Sequence, residues 1–145
     1  MKKQVPTESE EQQTLFRWAA MQCGKYPELA LMFHIPNEGK RSWMTGGKMK
    51  AEGLKSGVPD IFLPVPRGEF HGLFVEMKRT KGGTVSDCQK LWLHDLQKQG
   101  YCAAVCRGWC EAAEQRGTQK ERLVLQLYLL SDSGQAAGGT AKSAI

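Results

Sequence analysis

VPDIFLPVPRGEFHGLFVEMK, residues 58 to 78, holds two apolar runs, Val58 to Val65 and Gly72 to Lys78, joined by Pro66, Arg67, Gly68 and Glu69. Short apolar runs bounded by Pro and Gly read as β-strands, and so short a connection makes them antiparallel neighbours in a hairpin. Asp60 follows Pro59 near the start of the first strand, and Glu76 and Lys78 stand at the end of the second. Side chains two apart on a strand project from one face, so Glu76 and Lys78 point together while Met77 points away. The surrounding positions Ile61, Phe62, Leu63, Leu73, Phe74 and Val75 are all apolar. Carboxylates set among them must be paired, hydrogen-bonded or bound to a cation to offset burial.

Asp60 and Glu76 on neighbouring strands can supply hard oxygen ligands for Mg²⁺ or a similar ion, with the backbone carbonyl of Met77 as a further ligand. Such an ion keeps several waters and takes a substrate phosphate in its open positions. It polarises the phosphate and acidifies a bound water, while Lys78 can stabilise developing negative charge or orient the attacking water. The chemistry indicated is phosphodiester hydrolysis. Read without a ligand, the same residues make an ordinary Glu76–Lys78 ion pair on a half-exposed strand, and Asp followed at a distance by Glu-x-Lys is not specific by itself.

Toward the N-terminus, Thr7 suits an N-cap and Glu8 to Gln22 reads as a helix. Its apolar stripe, Leu15, Trp18 and Ala19, extends back by steps of three and four to Glu11, Gln12 and Glu8, which puts those polar groups on the core-facing side and Glu10 toward solvent. Leu31 to Ile35 is a short strand candidate closed by Pro36, Asn37 and Gly39. From Lys40 to Lys55 the bases Lys40, Arg41, Lys48, Lys50 and Lys55 meet one acid, Glu52, in a Gly-interrupted stretch of loop and short helix. This segment reads either as phosphate-facing or as a solvated charged loop.

Toward the C-terminus, Gly82 and Gly83 form a turn and Ser86 caps a helix running to about Gln99, with Leu91, Trp92 and Leu96 on its apolar face. Gly100 ends it. Tyr101 to Cys106 reads as a buried strand, Gly108 as a turn, and Trp109 to Arg116 as a short helix. Lys120 to Leu130 has the Leu spacing of a last helix, with a strand left open by its Leu and Val content. Residues Ser131 to Ile145, rich in Ser, Gly and Ala, read as a disordered tail or an added remnant. A single domain is expected over residues 7 to 130.

Several separate segments resemble the VRR-NUC nucleases of the PD-(D/E)XK superfamily. They are Glu8 to Trp18, Ile35-Pro36-Asn37-Glu38-Gly39, Gly53 to Ile61, Phe74 to Lys78, and Ser86 with Gln89, in the family's order. The resemblance covers roughly Glu8 to Ala112. It implies an α/β fold, a restriction-endonuclease-like core with a central mixed β-sheet flanked by α-helices, and a site using Mg²⁺ or Mn²⁺. It makes Asp60 and Glu76 metal ligands, Lys78 the catalytic lysine and Gln89 a supporting site residue. The family's acid on the first helix falls on Glu8 or Glu11, with Glu11 then a further metal ligand, and Gln12 helps orient Glu8 or simply caps the core. Asn37 is a supporting residue, and Lys40, Arg41, Lys48, Lys50, Lys55, Arg79 and Lys81 form a DNA-contacting rim. The short stand-alone members resemble phage and bacterial proteins that act on branched DNA as homodimers, with four-way (Holliday) junctions the leading substrate. Flap- or nick-directed cleavage and a non-catalytic nucleic-acid-binding module are the rival expectations.

Composition agrees with this direction without proving it. The chain has 145 residues, enough for one substantial core, and a formal charge of +5 from 20 Lys and Arg against 15 Asp and Glu, which favours a polyanionic partner. The five cysteines are odd in number and follow a start with no apolar export segment, so a reducing cytoplasm is expected, in a bacterial or phage-infected cell. Cys102, Cys106 and Cys110 recur every four residues, yet a strand before Gly108 and a helix after it would scatter the thiols, which argues against a zinc site. No run reaches the length of a membrane span, and no small-molecule cofactor is expected. Trp92 and Trp109 lie in apolar segments that favour the core over base stacking, and Trp43 is open between the two. His34, His71 and His94 share no spacing and receive no role.

Overall fold

A computed structural model describes residues 4–36, 43–113 and 124–130. The first helix, α1 (Glu8–Gln22), starts at Thr7 through a capping box: Thr7 Oγ1 accepts the Glu10 N–H, and Glu10 Oε2 accepts the Thr7 N–H at 2.8 Å. Glu10 is thus occupied at the exposed cap, while Glu11, Leu15, Trp18 and Ala19 form the buried stripe.

A 3-10 turn with Pro27 in its first turn (Pro27–Leu31) takes up part of the expected first strand and leaves β1 as Phe33–His34. Helix α2 covers Trp43–Ala51. The hairpin follows as β2 (Ile61–Leu63) and β3 (Leu73–Lys78), antiparallel, with Phe62 opposite Phe74. β2 is shorter than its apolar run because Pro59 and Pro64 bracket it and neither can donate to a ladder. β3 pairs in parallel with β4 (Cys102–Arg107), and a parallel pair needs a crossover, which α3 (Asp87–Lys98) supplies. The mixed sheet has the order β1-β2-β3-β4. The expected burial of the last strand is corrected: β4 lies at a sheet edge and only Cys106 in it is fully buried. Two short helices follow, α4 (Trp109–Ala113) and α5 (Val124–Leu130), the second resolving the helix-or-strand alternative as helix. Residues 114–116, 120–123 and the 131–145 tail lie outside the described residues. No helix among the described residues is long and apolar enough to cross a membrane.

The period of two in β3 divides its residues by role. Leu73, Val75 and Met77 are buried with Leu15, Trp18, Ile61, Leu63, Cys106 and Leu125 in the core. On the other face Phe74 stacks on Phe62, centroids 4.2 Å apart, with Tyr101 edge-on to both, and further along the same face come Glu76 and Lys78.

Glu11 ties α1 to the exits of β3 and β4. Its Oε1 accepts the Thr80 hydroxyl at 3.0 Å and its Oε2 the Trp109 N–H at 2.9 Å. Between them Gly108 has φ +84° and donates its N–H to the Lys78 carbonyl at 2.7 Å, and a Cβ there would fall 2.9 Å from the Thr80 hydroxyl. A glycine is needed on both counts. Glu11→Ala is expected to lower stability by about 2 kcal/mol in denaturant unfolding, since it leaves the half-buried Trp109 N–H without its acceptor. An unchanged midpoint would contradict this clamp.

Candidate active site

Three elements converge on Glu76, which is fully buried. From its own strand, Lys78 Nζ donates to Glu76 Oε1 at 2.7 Å, the same-face contact that a two-residue step on a strand permits. From α3, Gln89 Nε2 donates to the same oxygen in a short hydrogen bond. From the neighbouring strand comes Asp60: the β2–β3 register, carried one step before Ile61, sets it across from Glu76, and its Oδ2 accepts the Met77 N–H at 2.8 Å.

The orientation of Gln89 is fixed by its second task. Ser86 caps α3 by accepting the Gln89 N–H, and Gln89 Oε1 returns the contact by accepting the Ser86 N–H at 2.8 Å. With the amide oxygen committed to the helix cap, the amide nitrogen must face Glu76. One turn on, Trp92 donates its indole N–H to the Ser56 carbonyl at 2.9 Å, and Gly57, at φ +82°, lies so close to α3 that a Cβ would meet Cys88 at 2.8 Å. The loop leading to Asp60 is therefore held by the same helix that orients Glu76. Trp92 is half-buried and pins that loop instead of filling the core, whereas Trp109 packs against the core.

From α1, Glu8 reaches Lys78, with Oε1 3.8 Å from Nζ. Of the two first-helix acids, Glu8 is the one brought to Lys78, while Glu11 has both oxygens occupied by Thr80 and Trp109. Gln12 does not meet Glu8 in the expected way; its amide lies 2.9 Å from Nδ1 of His34, because that position of the helix faces the edge strand. His34 in turn lies 2.9 Å from the Asp60 carbonyl. Sequence reasoning gave no role to His34 or Thr80, and neither carries a signal in spacing, since each is tied to the site only through the fold. Lys48, Lys50, Lys55, Arg79 and Lys81 are exposed, with Lys48 paired to Glu52 at 3.8 Å. Asn37, Lys40 and Arg41 lie outside the described residues.

Around Glu76, the Lys78 ammonium lies against Oε1, and the Asp60 and Glu8 carboxylates lie close enough to act on its charge. Burial pushes the Glu76 carboxyl up to about 7; the hydrogen bond from Lys78 opposes this, and the nearby Asp60 and Glu8 charges add to it. Glu76 Oε2 is buried and has no donor among the described residues. A buried carboxylate oxygen without a donor among the described residues, beside a second carboxylate, is a donor set that could hold a divalent cation. No group of three or more His, Cys, Asp or Glu side chains that could hold a metal ion occurs among the described residues.

The folded-state pKa of Glu76, about 7, lies above its ordinary 4.5, so the stabilising neutral form is fully present below about 4.5 and is lost as pH rises through 7. The unfolding free energy measured in chelator should fall across that window relative to Glu76→Gln, by up to roughly 3 kcal/mol. Parallel pH profiles for the two proteins would contradict the burial of an ionisable Glu76.

A profile of the VRR-NUC domain matches residues 3–109. Among solved structures, the chain is similar to a VRR_NUC domain protein at 31% identity and a TM-score of 0.63, covering 74% of this chain and 82% of that one. No curated protein matches. The profile match spans all the residues that converge on Glu76, and the mixed sheet with flanking helices is the core expected of such a nuclease. The chain belongs to the VRR-NUC domain family of nucleases.

Proposed function

We propose that this chain is a Mg²⁺- or Mn²⁺-dependent DNA endonuclease that hydrolyses phosphodiester bonds in branched DNA, with four-way junctions its leading substrate. The observation that carries the reading is the Glu76 carboxylate, with one oxygen fixed by Lys78 and Gln89 and the other buried without a donor among the described residues, across from Asp60. Asp60 and Glu76, with the Met77 carbonyl, would hold the cation. When bound, the cation would polarise the scissile phosphate and render a water more acidic.

The protein's own groups have separable tasks. Lys78, held by Glu76 and approached by Glu8, presents a positive charge where a phosphate gains negative charge. Gln89 fixes the direction of the Glu76 carboxylate. Glu8 supports Lys78 from α1, and Glu11 is assigned to the structural clamp. Lys48, Lys50, Lys55, Arg79 and Lys81, with Lys40 and Arg41 added from the sequence, are proposed to contact the DNA backbone, where basic side chains contribute affinity without reading bases, and Asn37 is kept as a supporting residue. A homodimer suits the substrate, since a two-fold pair of sites can cut two strands of a symmetric junction.

The test is cleavage of a labelled four-way junction beside linear duplex of matching sequence, with Mg²⁺, Mn²⁺ or chelator. Metal-dependent paired cuts in the junction alone are expected, and binding without cleavage under every condition would point to a non-catalytic module. Asp60→Asn should reduce the cleavage rate by on the order of 10²- to 10³-fold while leaving junction binding in gel shifts near its original strength. Gln89→Glu keeps a side chain suited to the helix cap but sets a carboxylate against Glu76. A comparable loss of cleavage with little change in melting temperature is expected, and full activity would remove Gln89 from the site.

A further inference from the structure

The main chain of Asp60 is held as firmly as its side chain. Its carbonyl accepts the Ile35 N–H at 2.7 Å and lies 2.9 Å from Nδ1 of His34. His34 sits on the edge strand β1, paired with Ile61, the residue after Asp60. The same Nδ1 lies 2.9 Å from the amide of Gln12, one helical turn beyond Glu8 on α1.

These contacts select one form of the imidazole. A carbonyl oxygen can only accept, so its contact with Nδ1 is attractive only when Nδ1 carries a proton. Were Nδ1 to offer a lone pair to Gln12, two acceptors would face each other at hydrogen-bond distance. With the proton on Nδ1, a half-turn of the Gln12 amide, which exchanges oxygen for nitrogen at the same place, lets Gln12 and Asp60 share that donor.

We propose that His34, held as the Nδ1–H tautomer between Gln12 and the Asp60 carbonyl, is a positioning residue that sets Asp60 relative to α1 and to Glu76. The span between the Asp60 and Glu76 carboxylates then depends on a ring that touches neither of them. This rests on the reading of Asp60 as a cation ligand; the tautomer itself does not. Groups that orient metal ligands change metal affinity by about 10- to 100-fold when removed.

Two measurements on the full chain test it. In imidazole ¹⁵N–¹H correlation spectra, recorded at a pH where the ring is neutral, His34 should show the Nδ1–H pattern instead of the Nε2–H form that a solvated histidine side chain favours. An Nε2–H pattern overturns the proposal. In calorimetric titrations with Mn²⁺, His34→Ala should weaken binding about tenfold. His34→Asn, whose amide N–H falls near the place of Nδ1–H, should recover most of that loss, and His34→Gln, whose N–H falls farther out, should not. Mn²⁺ binding that is the same in all four proteins overturns the positioning role alone, whereas no Mn²⁺ binding to the unsubstituted protein overturns it together with the proposed function.

Discussion

Desolvating a carboxylate is costly unless its charge is compensated, and Glu76 has its carboxylate fully buried on the sheet face opposite the core. The surrounding elements can be understood from that constraint. Lys78 is two residues on because only that step brings an ammonium to the same face of the strand. Gln89 opens α3 because a helix N-terminus beside the end of β3 lets one side chain cap the helix and also donate to Glu76. Both donors go to the same carboxylate oxygen, and Asp60 and Glu8 add negative charge nearby. The protein thus solvates half of the group and leaves the other half in an environment that favours a proton or a cation.

Helix α1 supports this arrangement from one turn and a half of polar positions. Glu8 approaches Lys78, Glu11 fastens the exits of β3 and β4, and Gln12 leads through His34 to Asp60. Each of the three meets a different part of the sheet. Of the three only Glu11 is buried, and a helix whose only task was to cover the core would carry an apolar residue there.

Much of this was legible in the sequence because periodicity is local. The step from Glu76 to Lys78, the hairpin around Arg67 and Gly68, the two capped helices and the phase that buried Glu11 each depend on neighbours within a few residues. Less legible were features set by distant packing. Of the three Glu residues of α1, Glu8 and Glu11 share a stripe, and only the fold separates Glu8, at Lys78, from Glu11, at Thr80 and Trp109. β4 has the apolar content of a central strand yet lies at an edge. His34 and Trp92 are defined by contacts to the main-chain carbonyls of Asp60 and Ser56, and a carbonyl carries no sequence identity.

The divalent cation site proposed at Asp60 and Glu76 would require the cation to displace a proton from Glu76. The most direct measurement is calorimetric titration of Mn²⁺ into chelator-stripped protein at pH 6 and pH 8, each in two buffers of different ionisation enthalpy. Binding that releases a proton at pH 6, less release at pH 8, and loss of both binding and release in Glu76→Gln are expected. Mn²⁺ binding with the same affinity and the same proton release in Glu76→Gln would contradict it.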